Sequence, residues 1–475
     1  MRKWQNLAPP DDPGSWYDVD GMWPTNRGSY ETADFLGSGE AITATGAGEI
    51  LYAWQGMGTA GRNELLVDGS KIWTYTDPIT PTLTDVTNGV AIGHCYQFAQ
   101  YGNVTIGVMG SDETVDAVAL AGEPTVKCTS PATNFSALAG APEGQSICVQ
   151  ANAVLIFNTN TANDAWAASD VGDYTNWTTG EAASGRIYMP AGPIRAGISF
   201  GPDVFVFKEY SIHRMRYVGG VVKWAVEKVW DGVGCGVRNG AVAGSTGILF
   251  QGYPRADTGS PTTPYYWYDG VNPPVMTNPF TEIPTGKMIY HPLKNVFTVW
   301  ASNAVYWYAP ESGMWGRSSA PMSSPPSVTA PVQGDYAGRA AGDRGLTTTC
   351  YGKSAANTVK RFSGASGTTL CHLETTKIGE PEKKLQVSRC TPLLRRRVDL
   401  GTDSVTATLS LFREREDTTA QTTRAGIAES TDRKRFDFRG GTSNDNFARV
   451  KVIWTALDVE VDDFLIDGNP VRGAN

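Results

Sequence analysis

Residues 199–270 constrain the fold more than any other part of the chain, because they write one unit of antiparallel sheet twice. Val204-Phe205-Val206-Phe207 is a short apolar run after the Gly201-Pro202 turn, and Ser211-Ile212-His213-Arg214-Met215-Arg216-Tyr217 alternates large apolar with polar residues. Both patterns predict strands. Gly219-Gly220 predicts a turn into a third strand, Val221-Val222-Lys223-Trp224-Ala225-Val226. After a glycine cluster between Gly232 and Gly240 the pattern restarts with Ile248-Leu249-Phe250, a Gly- and Pro-rich loop, and Tyr265-Tyr266-Trp267-Tyr268 before Asp269-Gly270.

The same unit recurs elsewhere. Ile50-Leu51-Tyr52-Ala53-Trp54, a glycine-rich turn, Glu64-Leu65-Leu66-Val67, the hairpin signal Asp68-Gly69 and Lys71-Ile72-Trp73-Thr74-Tyr75 form the first copy. Others begin near His94–Val108, near Val149–Phe157, at Phe205, at Phe250 and near Val296–Tyr308. Landmark aromatics return at roughly 40 to 55 residues, the period of four-stranded propeller blades. A blade has two apolar faces and buries them only against its neighbours, so aromatic and β-branched residues belong on both. Six units are counted this way, and a seventh is placed around Tyr336–Phe362. A stack of sandwiches predicts stricter inside–outside alternation and less regular aromatic spacing.

The expected fold is therefore all-β: a β-propeller of six or seven blades followed by a C-terminal β-sandwich. Residues 1–45 read as an N-terminal arm and first propeller strand, 46–374 as the propeller and 375–384 as a polar linker around Pro381. Residues 385–475 read as the sandwich, where alternating strands such as Val405–Phe412, Ala448–Trp454 and Val459–Ile466 lose the earlier repeat. With 53 glycines, 28 prolines and only 19% charged residues, the composition suits many short strands joined by tight turns. A net charge of −8 argues against a broad basic face that grips phosphate backbone. The start, Met1 to Pro10, lacks the apolar core of a signal peptide, which predicts a product made and kept in a cytoplasm. Seven cysteines lie far apart with no CxxC pair and read as reduced structural thiols.

Catalytic patterns are thin. The four histidines, His94, His213, His291 and His372, share no metal-ligand spacing, and His213 in its alternating strand reads as a packing or surface residue. Neither a metal nor a cofactor is expected. Gly232-Val233-Gly234-Cys235-Gly236 has no helix after it to bind phosphate and reads as a blade-to-blade turn. Ser169–Trp177 resembles the Asp-box turn of sialidase propellers, with too long a Gly-to-Trp spacing. Carboxylate pairs such as Asp462-Asp463 and Glu414/Glu416 leave a glycosidase as a minor alternative and read better as solvated surface. Two basic clusters, Arg395-Arg396-Arg397 and Arg433-Lys434-Arg435, are candidates for contact with DNA phosphates or an acidic partner, or are edge-strand charges that block aggregation.

The run Asp164–Trp177 (DAWAASDVGDYTNW), the phrase IRAGISFGPDVFVFKEYSIHRMRY at Ile194–Tyr217 and the segment Gly232–Phe250 resemble the propeller of podovirus tail hub proteins. These are also called nozzle or packaged-DNA stabilisation proteins, with the prototype in P22-like phages. Cys390-Thr391-Pro392-Leu393-Leu394 and the stretch Arg449–Ile466 are similar to the terminal domain of that family. The resemblance implies a non-enzymatic virion protein. Members form a six-fold ring below the head-to-tail adaptor, pass double-stranded DNA through its channel without specific binding, and carry the tail needle or distal tip and neighbouring spikes or fibres. An acidic chain fits a channel through which DNA slides, since like charge facing phosphate does not hold it. The N-terminal arm and the linker before Leu385 depart most from the prototype. A glycan- or receptor-binding propeller is the alternative from another class.

Overall fold

The computed structural model describes residues 16–20, 22–25, 30–32, 35–43, 50–58, 61–68, 71–75, 83–92, 97–109, 124–129, 134–253, 263–277, 283–291, 294–301 and 304–318. Beyond these it describes segments 351–355, 358–363, 370–375, 378–379, 384–396, 407–412, 422–425, 434–435, 438–439, 447–455 and 459–471. Every regular element among the described residues is a strand.

Four strands precede the repeats: β1 (Trp16–Asp20), β2 (Met22–Pro24), β3 (Tyr30–Thr32) and β4 (Phe35–Thr43). Six four-stranded antiparallel meanders follow, and together they make a six-bladed β-propeller. The first blade is β5 (Ile50–Gly58), β6 (Gly61–Asp68), β7 (Ile72–Tyr75) and β8 (Leu83–Asp85). The second is β9 (Gln97–Tyr101), β10 (Val104–Val108), β11 (Val126–Thr129) and β12 (Ser136–Ala137). The third is β13 (Ser146–Gln150), β14 (Ala153–Thr159), β15 (Ala162–Ala168) and β16 (Ala183–Arg186). The fourth is β17 (Ile194–Phe200), β18 (Asp203–Lys208), β19 (Ser211–Gly219) and β20 (Lys223–Asp231). The fifth is β21 (Ala241–Ala243), β22 (Ile248–Gln251), β23 (Tyr265–Tyr268) and β24 (Val275–Met276). The sixth is β25 (Lys287–His291), β26 (Val296–Trp300), β27 (Val305–Ala309) and β28 (Met314–Ser318). First strands of successive blades lie side by side, from β5 through β9, β13, β17 and β21 to β25.

The unbroken apolar runs follow from this packing, because alternate residues of one strand serve two neighbours. In β14, Val154 and Ile156 pack toward the second blade with Val104, Ile106 and Val108. Leu155 and Phe157 point the other way, into a cluster with Ile194, Val204, Val206 and Met215 of the fourth blade. In β18, Val204 and Val206 face that cluster while Phe205 and Phe207 join Ile248, Phe250 and Tyr268 of the fifth. Aromatic contacts continue the pattern, with the Trp267 ring 5.6 Å from Phe297 of the sixth blade. Each large side chain so buried contributes about 1.5–3 kcal/mol. Polar ties stitch the same seams: the Ile147 amide donates to Gln97 Oε1 at 2.9 Å, and the Gly197 amide to Ser146 Oγ at 3.1 Å.

One strand boundary differs from expectation. Val221-Val222, expected to open the third strand of the 199–270 unit, lie in the turn, and β20 starts at Lys223. Gly219 and Gly220 take φ of +68° and +67° and Lys223 takes +58°, so the reversal occupies the valines as well.

Strand pairing runs across the boundaries that composition suggests. The remaining strands are β29 (Tyr351–Ala355), β30 (Thr358–Ser363), β31 (Leu370–Thr375), β32 (Ile378–Gly379), β33 (Lys384–Arg396) and β34 (Ala407–Phe412). They continue with β35 (Thr422–Ala425), β36 (Lys434–Arg435), β37 (Phe438–Arg439), β38 (Phe447–Thr455) and β39 (Val459–Val471). Where a seventh blade was expected, β30 pairs with β29 on one side and β4 on the other in a three-stranded sheet; residues 336–350 and 356–357 of that unit lie outside the described residues. A six-stranded sheet has the order β1-β31-β38-β34-β35, with β32 also on β38. Another has the order β2-β3-β39-β33-β36, with β37 also on β33. The arm thus pairs with strands from the far end of the chain. Its Tyr30, buried, donates its hydroxyl to the Trp315 carbonyl of β28 at 2.7 Å, which ties this part to the last blade.

Candidate functional site

In a meander the second-to-third strand turn and the connection to the next blade fall at one end, and the other two turns at the opposite end. At the first end, the connection after β16 carries Tyr188 and Met189, the β18–β19 turn carries Tyr210, and the segment after β22 carries Tyr253. All four side chains are exposed. Beneath them Lys208, fully buried, donates from Nζ to the Ile187 carbonyl at 2.6 Å and to the Pro190 carbonyl. Burial pushes its pKa down, with Asp164 opposing and Arg186 adding to the shift. Lys208 is a brace: an apolar strand ends on a cation whose donors hold the neighbouring loop. The 232–240 segment, a blade-to-blade connection as expected, packs on the same turn, where the Cys235 amide donates to the Lys208 carbonyl at 2.8 Å. Gly234 lies so close to that carbonyl and to the Ser211 amide that no Cβ fits.

Ser211 Oγ and His213 Nε2 stand 3.0 Å apart, the contact of a nucleophile and its base. Both residues are buried, at 0% and 3% exposure, so no substrate reaches them, and His213 is a packing residue. Burial first, then the charges of Lys208 and Lys228, lower its pKa to about 4, against a raising contribution from Asp231. The folded value lies below the unfolded one near 6.5, so the stability that neutral His213 contributes is complete above pH 6.5. It is lost as the pH falls toward about 4. We expect the stability difference between the parent and His213→Gln to shrink by up to about 3 kcal/mol between pH 7 and pH 4. Urea unfolding at both pH values checks this; a difference that does not change with pH contradicts it.

The Asp-box-like stretch is a structural knot. Asp170 accepts from the Glu181 amide at 2.7 Å and from Asn176 Nδ2 at 3.1 Å, and its carboxylate fills the space a Cβ at Gly180 would need. Asp173 caps its own turn by accepting from the Thr175 amide and hydroxyl at 2.9 and 2.6 Å.

At the opposite end the β19–β20 hairpin overhangs the third blade. Lys223 Nζ donates to the Gly180 and Ala182 carbonyls at 2.6 and 2.7 Å, Tyr217 packs edge-on against Trp224 at 5.5 Å, and the Tyr217 hydroxyl donates to Glu181 at 3.2 Å. The tip is thereby fixed while Val218, Val221 and Val222 point into solvent, Val221 fully so.

The basic clusters, 38 residues apart in the chain, are brought to adjacent strands. Arg395 and Arg396 end β33, and Lys434 and Arg435 form β36, in register with Leu394 and Leu393. On its other side β33 sets Arg395 opposite Glu460, and Glu460 opposite Glu31 of β3. Arg389 is the register partner of both Arg439 and Asp467. Arg397 and Arg433 lie outside the described residues, as do His94, Glu414 and Glu416; Asp462 and Asp463 lie on β39, His291 on β25 and His372 on β31.

Cys128, Cys148 and Cys235 are buried, and burial raises the thiol pKa of Cys148 and takes that of Cys235 to about 12. Among the described residues no three His, Cys, Asp or Glu side chains gather as metal ligands, and no helix is long and apolar enough to cross a membrane.

Fold and surface together define an all-β protein built on a six-bladed propeller. No protein-family model matches the chain, and no curated protein does. Among solved structures it is similar to the computationally designed Ika8 protein, at 11% identity and a TM-score of 0.37, over 68% of this chain and 99% of that one. A likeness that shallow describes neither ligand nor partner.

The tyrosine end and the valine tip were missed in the sequence. Tyr188, Tyr210 and Tyr253 sit in three separate loops, and only the blade register brings them to one end. Val221 and Val222 read as strand because β-branched residues favour sheet.

Proposed function

We propose that the chain is a non-enzymatic structural subunit of a podovirus tail nozzle, acting by assembly into a six-fold ring below the head-to-tail adaptor. The observation that carries this reading is the pinned hairpin tip at Val218, Val221 and Val222. A fixed apolar projection is disfavoured in water and suits burial against another subunit, and a head-to-tail contact closes a ring when its rotation fits. The resemblance of Asp164–Trp177, Ile194–Tyr217 and Gly232–Phe250 to tail hub propellers supports the same reading. The ring's channel would hold and then pass double-stranded DNA, and a net charge of −8 keeps that passage free of tight binding. Arg395, Arg396, Lys434 and Arg435, with Arg397 and Arg433, contact phosphates or an acidic neighbour. β33 touches β38, which supports a sandwich made by the two six-stranded sheets. Virions assembled in the host cytoplasm are the location that follows, with the tail needle or distal tip and spikes or fibres as distal partners. Size-exclusion chromatography with light scattering is expected to show the ring when the adaptor is present. A stable lone monomer at high concentration under those conditions would overturn the proposal.

A further inference from the structure

We propose that the end of the propeller bearing Tyr188, Tyr210 and Tyr253 binds a neutral oligosaccharide. The proposal is independent of ring assembly, since the valine tip lies at the opposite end. The three tyrosines are 62%, 48% and 48% exposed, although each sits on a segment held from below. Arg186 lies over the Tyr188 ring at 4.7 Å, and its Nε donates to Asp164 Oδ1 at 2.6 Å, so the stack is anchored. Lys208 pins the loop that carries Tyr188 by the carbonyls on either side of Tyr188 and Met189. Tyr210 and Tyr253 stand 5.6 Å apart at 33°, neighbours across the fourth and fifth blades. Gly236 packs against the Tyr253 backbone where a Cβ would not fit. These rings are therefore held in place before any ligand arrives, and a rigid aromatic loses little entropy on binding.

The occupant follows from the chemistry. A pyranose has a C–H face that stacks on an aromatic ring and a rim of hydroxyls that seeks planar charged partners. The tyrosines supply the first, and Arg186 with Glu209, which precedes Tyr210, supplies the second. Charge narrows the class further. Arg186 is paired with Asp164, Arg195 lies 4.0 Å from Glu209, and Lys208 is buried with its donors on two carbonyls, so none of these cations presents an unpaired charge to an anion. That disfavours phosphate-bearing or acidic ligands and leaves neutral sugars.

The test uses the full chain on an array of neutral and acidic glycans, followed by titration calorimetry with the best neutral oligosaccharide. Binding to neutral glycans is expected. Tyr210→Ala and Tyr253→Ala should each weaken it by about tenfold, the loss of one aromatic stack. Tyr210→Phe should leave it within about threefold, because the ring face remains. Both positions are exposed, so thermal unfolding of the variants should match the parent. The proposal is overturned if no neutral glycan binds, if only acidic glycans bind, or if both alanine variants bind as well as the parent.

Discussion

Phe157→Ala should lower the unfolding free energy by about 3–5 kcal/mol, the range for a buried phenylalanine whose neighbours cannot close the space. Phe157 is fully buried on β14 and packs across the seam with Ile194, Val204, Val206 and Met215. Its ring occupies the space a Cβ would take at Gly197 on the next blade. Two rigid sheets meet there, so the loss is that of a seam between blades and not of one hairpin. Urea unfolding followed by tryptophan fluorescence measures it. A midpoint unchanged from the parent would mean that the third and fourth blades do not depend on this contact. Gly197→Ala approaches the same seam from the other side by overpacking it, at a cost of about 1–3 kcal/mol.

Val221→Asp with Val222→Asp should abolish assembly while leaving the fold intact. Val221 is fully exposed and Val222 is 64% exposed, so substitution in water is expected to change stability by no more than about 0.5 kcal/mol. In a subunit interface the same two carboxylates would be buried without partners, which costs several kcal/mol each. Light scattering then reads a monomer where the parent forms a ring. Rings formed equally well by the variant would show that the hairpin tip is not the subunit contact, and circular dichroism identical to the parent would exclude a folding defect as the cause.

The blades were legible because each writes its own short-range signals. Ile50–Val67, Val204–Tyr217 and Ile248–Tyr268 carry apolar runs bounded by Gly, Asp-Gly and Gly-Pro turns, and a strand with both faces buried has no choice but to be apolar throughout. The 232–240 turn was read for the same local reason. The candidate site was less legible. Lys208 ends an apolar run and looks like a strand terminus, yet it is buried with its hydrogen bonds donated to two carbonyls of the connection between the third and fourth blades. The pairing of β30 with β4, and of β3 with β39, joins residues more than 300 positions apart. Strand patterning says what a strand covers and is silent on which strand lies beside it.

The sequence by itself therefore determined an all-β chain of repeated four-stranded units, since glycine turns and two-faced apolar strands are properties of neighbouring residues. Only the tertiary structure decided that six such units form the propeller, that the first strands pair with the last, that the described residues of the two basic clusters lie on adjacent strands, and that three tyrosines lie at one end. Those outcomes depend on loop closure and on complementary surfaces meeting across the fold, and no local pattern of side chains encodes them.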